Sequence, residues 1–134
     1  MFGELERAVD GEKVIHNLYE DWDAYIGMLH LDNTFNTLEY WIGEFVAAGT
    51  QVPDGFLSID YPAQNFGVCW ISGENLSDIL SQYGRVAGKL REAGMEVVYE
   101  KDGSFWCFER YACPRYTSSD EQGNIILDYC FFVK

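Results

Sequence analysis

Ser104-Phe105-Trp106-Cys107-Phe108-Glu109-Arg110-Tyr111 is an aromatic run of strand character with one acid set among its rings. A carboxylate flanked by Phe and Trp is costly to bury, so a residue such as Glu109 has either a partner or a task. Alternation along a strand sends neighbours to opposite faces, which points Arg110 away from Glu109. Further rings stand at Tyr40-Trp41 and Trp70. Three parts of the chain thus supply rings to one concave site for a flat or cationic small molecule.

Working outward, residues 75–93 read as a helix in which Leu76, Ile79, Leu80, Tyr83, Val86, Ala87 and Leu90 recur at three- and four-residue steps. Asn75 suits the N-cap, Asp78 the first turn, and Gly94 a left-handed stop after Lys89 and Arg91. Residues 3–21 also read as helix, broken near Asp10-Gly11, with Val14, Ile15, Leu18 and Trp22 at helical spacing. Strand character marks residues 24–31, 38–47, 56–60, 65–72, 95–100, 105–111 and 124–133. Asp32-Asn33, Gly49-Thr50, Pro53-Asp54-Gly55, residues 62–65, Lys101-Asp102-Gly103 and the polar stretch 114–123 supply the turns. The expected fold is α+β: an antiparallel sheet with two helices on one face, each helix followed by two strands, so that two similar modules are suggested. The other face, carrying part of the aromatic set, is then the expected cleft.

The chain has 134 residues, enough for one domain with a real core, so residues 1–134 are read as one unit. Its formal net charge of −13, with nine Lys and Arg forming no stripe, argues against direct nucleic-acid contact. No segment is apolar and long enough to span a membrane, and Met1-Phe2-Gly3-Glu4 does not open a signal peptide, so the expected location is cytoplasmic. Cys69, Cys107, Cys113 and Cys130 lack paired CxxC spacing and a nearby His, and are read as reduced, mostly buried thiols. His16 and His30 stand apart from any Cys or carboxylate at ligand spacing and are read as surface or boundary residues. Neither a metal site nor a cofactor is expected. No GxSxG elbow, phosphate-cradling glycine loop or HExxH is present.

Tyr40-Trp41-Ile42-Gly43, then residues 48–56 (AGTQVPDGF), Phe66-Gly67-Val68-Cys69-Trp70, Phe108-Glu109-Arg110-Tyr111, and Ile126-Leu127-Asp128-Tyr129 before Val133-Lys134, together resemble the GyrI-like small-molecule-binding domain. This domain is also the effector-binding part of BmrR-type and some AraC-type regulators, and the resemblance covers residues 23–134. It implies a pseudo-twofold fold of two strand-helix-strand-strand modules with ligand held in the groove between them. It places Glu109 in that groove, facing cationic or polar drug-like ligands, with Tyr40, Trp41, Trp70 and Tyr111 on motifs that line it. Two departures stand out: the chain opens almost directly into a helix where the family begins with a strand, and no helix-turn-helix comes before the domain. The expectation is a free-standing binder, as a homodimer or beside a separate DNA-binding partner.

Three functions follow from this reading. The favoured one is sensing or sequestration of a lipophilic or cationic compound by Glu109 with Tyr40, Trp41, Trp70, Trp106 and Tyr111. Glu44, which shares a strand face with Tyr40, is the candidate second carboxylate. The alternative, carried by some free-standing relatives, is hydrolysis of cyclopropane-bearing electrophilic toxins, with Glu109 as general base or acid. The third is an interaction module that inhibits a partner protein.

Overall fold

A computed structural model describes residues 24–32, 38–46 and 48–134. The helix expected over residues 3–21 and the site of His16 lie outside these. The described chain forms an antiparallel five-stranded sheet with helical turns packed on one face. The strands are β1 (Tyr25–Leu31), β2 (Leu38–Gly43), β3 (Asn65–Gly73), β4 (Phe105–Tyr111) and β5 (Ile125–Val133), in the spatial order β2-β1-β4-β5-β3. The strand carrying Glu109 therefore lies at the middle of the sheet.

Of the expected helical stripe, Ile79, Val86 and Leu90 are buried while Leu76 and Leu80 are exposed, and the segment is not one continuous helix. It consists of α1 (Leu76–Leu80), a 3-10 turn (Tyr83–Arg85) and α2 (Val86–Glu92). Asn75 caps α1 as expected, its Oδ1 accepting the Asp78 N–H at 3.0 Å, and Gly94 adopts φ +84° after α2. Between α1 and the 3-10 turn, the Gln82 amide donates to the Ser72 and Asp78 carbonyls. This ties the break to the end of β3. Ile79, Val86 and Leu90 pack with Ile71, Cys107, Leu127, Tyr129 and Phe131 into one apolar cluster. Gly67 admits this packing, because a Cβ there would stand 2.6 Å from Met95 Sδ and 3.0 Å from Leu90 Cδ2.

Two expected strands do not form. Residues 56–60 run as irregular chain with Leu57 80% exposed, and residues 95–100 contribute only a bridge from Val97 to Val133. Strand composition alone does not build a ladder. Strand β2 also ends at Gly43, short of the 47 expected.

The face opposite the helical turns is not an open cleft. Ile26, Met28, Phe108, Cys130 and Phe132 form a second cluster there, with Phe45 and Tyr61 laid over it. The sheet is thus a shared wall between two apolar layers. Among the described residues no helix is long and apolar enough to cross a membrane.

Candidate functional site

Strand register decides which side chains meet Glu109. It pairs with Gly27 of β1 and Tyr129 of β5, and Cys107, two residues away on the same face, pairs with Leu29, which pairs with Tyr40 of β2. Glu109, Tyr129, Cys107 and Tyr40 therefore share the helix-covered face. Tyr83, carried by the 3-10 turn, closes over them with its ring stacked on that of Tyr129, centroids 3.9 Å apart.

The result is a carboxylate ringed by phenols. Tyr40 Oη donates to Glu109 Oε1 at 2.9 Å and Tyr83 Oη donates to Oε2 at 2.5 Å. Tyr111 hydrogen-bonds in turn to the Tyr40 hydroxyl, and Tyr129 Oη lies 3.4 Å from Cys107 Sγ. Glu109 is only 4% exposed, and no Lys, Arg or His among the described residues forms an ion pair with it. Burial first, then the hydrogen bond to Glu109 and the charge of that carboxylate, push the Tyr83 phenol far above its ordinary value. Burial likewise raises Tyr111, Tyr129 and Tyr40. All four rings therefore stay neutral phenols around neutral pH, donors rather than rival anions.

Gly27 makes this arrangement possible. A Cβ at that position would stand 2.3 Å from Tyr40 Oη and 2.8 Å from Glu109 Oε1. Only a residue without a side chain lets the tyrosine reach the carboxylate across β1.

Arg110 points to the other face, as the alternation requires. There its Nε donates to Asp128 at 2.7 Å, Arg115 donates to the same carboxylate at 2.7 Å through its own Nε, and Asp128 is fully buried.

Of the residues expected at the site, Tyr40 and Tyr111 join Glu109. The three tryptophans do not. Trp41 pairs with Met28 and Trp106 with His30, and Trp70 lies opposite Asp128, so all three belong to the face of Phe108 and Arg110. Trp41 and Trp106 pack against that second cluster, and Trp70 is 63% exposed with the Arg115 guanidinium over its ring. The expected groove of Glu109 among Trp41, Trp70 and Trp106 is corrected on this point: odd spacing and cross-strand register place them across the sheet. Glu44 lies just past the end of β2 and is half-buried.

Tyr83, Tyr129 and Gly27 complete the site and were not among the expected residues. Tyr129 shares alternation with Phe131 in β5, a signal available in the sequence. Tyr83 fits the helical stripe equally well as a core residue, so its role comes from the packing alone.

The thiols are free, as expected, but Cys113 is exposed. Burial drives Cys107 up to about 11 from its ordinary 9.0. No group of three or more His, Cys, Asp or Glu among the described residues is arranged to hold a metal. Two open cavities, of about 560 and 440 Å³, lie away from Glu109: the first beside α2 and Lys134, the second beside His30 and Trp106. Chemistry and open volume thus disagree about location. The buried charge of Glu109 demands compensation, whereas an open surface hollow does not. No family model, curated protein or solved structure matches the chain.

Proposed function

We propose that this chain is a small-molecule-binding protein of GyrI-like type, which takes up lipophilic or cationic drug-like compounds at Glu109 for sensing or sequestration. The observation that carries the reading is the pairing of a 4% exposed carboxylate with neutral phenols and no cation among the described residues. A ligand cation entering this place gains the charge of Glu109 and the faces of Tyr40, Tyr83, Tyr111 and Tyr129. Each ring contact contributes about 0.5–2 kcal/mol. A few such contacts with the carboxylate approach the roughly 8 kcal/mol of micromolar binding. Tyr40, 44% exposed, marks the side of entry, and its hydroxyl or that of Tyr83 must swing off the carboxylate to admit the ligand.

A thermal-shift screen of lipophilic cations tests the proposal. At a ligand concentration of about 100 Kd the folded chain gains about 2.7 kcal/mol, and Glu109→Gln should lose most of that gain. An unmoved melting temperature across the panel, or equal shifts in both chains, would overturn it.

A second reading has one observation in its favour: a carboxylate in direct contact with phenol donors is an acid-base pair. In hydrolysis of a strained cyclopropane conjugated to a carbonyl, Glu109 would take a proton from water as its oxygen bonds to a ring carbon, the ring C–C bond would break with its electron pair passing to the carbonyl oxygen, and a tyrosine would protonate that oxygen and be reprotonated from Glu109. Hydrated product beyond one equivalent, abolished in Glu109→Gln, would establish this in place of simple binding.

A further inference from the structure

Across the sheet from Glu109 a second set of polar side chains is joined at one end of β1 and β4. His30 of β1 stacks on Trp106 of β4, ring centroids 4.2 Å apart and planes 4° from parallel. Its Nε2 lies 3.0 Å from Ser104 Oγ, and its Nδ1 lies 3.5 Å from Glu39 Oε2. The other Glu39 oxygen accepts the Trp41 indole N–H at 2.6 Å. Ser104 immediately precedes β4 and is fixed by Asp102, whose Oδ1 accepts the Ser104 N–H at 2.9 Å and its hydroxyl at 2.5 Å. Ser104 is 4% exposed and forms part of the wall of the open cavity of about 440 Å³, with His30, Glu100, Lys101, Asp102 and Trp106.

We infer that Ser104 is an acyl-accepting nucleophile, with His30 as its base and Glu39 as the positioning residue behind the imidazole. Nothing in the local sequence marks these residues as a unit. The hairpin register brings Glu39 opposite His30, and the β1–β4 pairing brings His30 beside Trp106. Glu39 favours the tautomer with hydrogen on Nδ1, which leaves the Nε2 lone pair facing Ser104. The Trp106 stack holds the ring in that plane. The single hydroxyl hydrogen of Ser104 has two acceptors, Asp102 Oδ1 and His30 Nε2, and reaches either by rotation about the Cβ–Oγ bond.

The step balances without any further reactant. Ser104 Oγ bonds to an ester carbonyl carbon and its proton passes to His30 Nε2. The bond to the leaving oxygen then breaks, and that oxygen takes the proton from His30. Water repeats the sequence to release the acid and restore the serine. Glu100 and Asp102 line the cavity against one Lys101, so the substrate class is a small neutral or cationic ester rather than an anionic one.

A fluorophosphonate probe tests the inference directly, since Oγ bonds to phosphorus, fluoride leaves, and the proton goes to His30. Intact-mass and peptide analysis of the full chain should show one adduct, on Ser104, and none in Ser104→Ala with its circular dichroism unchanged. His30→Gln should slow labelling about 100-fold. Glu39→Gln should slow it about 10-fold and move the midpoint of its pH profile, a change that a purely structural residue would not produce. Cys113→Ser, a change at an exposed thiol, should label at the unaltered rate. No adduct, an adduct on another residue, a rate indifferent to His30→Gln, or loss of labelling in Cys113→Ser would each overturn the assignment.

Discussion

Glu109 and Asp128 are buried carboxylates on neighbouring strands and opposite faces of one sheet, and they are satisfied by different means. Asp128 is met by two guanidinium groups, Arg110 and Arg115, so its charge is cancelled where it stands. Glu109 is met by the hydroxyls of Tyr40 and Tyr83, which fill its oxygens and leave its charge in place. A buried ion pair is complete in itself and serves the fold or its specificity. A buried charge held, among the described residues, by neutral donors keeps an electrostatic demand that a ligand can meet, and the proposed binding role of Glu109 rests on that demand.

The broadest disturbance should come from alkali, which reaches the tyrosine face. Tyr83, Tyr111 and Tyr129 lie well above the unfolded value of 10.0, mainly through burial, and Tyr40 is raised too. The folded chain therefore holds these protons more tightly than the unfolded chain. Their contribution to stability is fully present below about pH 10 and is lost as pH rises above it. The part of the tyrosinate absorbance due to these four rings, isolated by difference from variants in which they are Phe, should rise in one cooperative step together with loss of circular dichroism. Free titration of all these rings in a chain that stays folded would show the phenol ring to be open to solvent.

Asp128→Ala attacks the other face. It removes the carboxylate that both Arg110, 6% exposed, and Arg115 hydrogen-bond, and should cost about 3–5 kcal/mol in urea unfolding. Glu109→Gln should cost far less, because Oε1 still accepts and a phenol can turn to accept from the amide. Equal losses would erase the distinction drawn between the two carboxylates.

How much of this was legible follows the same division. The strand of Glu109 and the opposite heading of Arg110 come from alternation alone, and the Asn75 cap and Gly94 stop come from local chemistry. Trp41, Trp70 and Trp106, from three separate parts of the chain, are gathered into one site on the sequence alone. Trp106 stands three residues before Glu109, an odd step along a strand that already puts it on the other face. Trp70 is different, since its face depends on the pairing of β3 with β5, which no local pattern encodes. Tyr83 is likewise hidden, because where a helical turn lands on a sheet is set by packing. Residues 56–60 and 95–100 have strand composition, but whether such a segment joins a ladder is decided by the packing of the whole sheet, which no local pattern encodes.

Gly27→Ala should have a smaller effect on folding and a selective one on the site. The clashing atoms, Tyr40 Oη and Glu109 Oε1, are side-chain ends that can move, so the cost should lie near the low end of about 1–3 kcal/mol. Binding of a lipophilic cation should fall about tenfold or more, equivalent to about 1.4 kcal/mol. Unchanged affinity, measured by calorimetry, would mean that contact between Tyr40 and Glu109 is not part of recognition.

The most direct measurement compares one lipophilic cation with its neutral isostere by isothermal titration against the unaltered chain and against Glu109→Gln. If the uncancelled charge of Glu109 drives recognition, the unaltered chain should prefer the cation by about tenfold or more, and the preference should fall to about one in Glu109→Gln. A preference that survives the substitution, or none in the unaltered chain, would contradict the account.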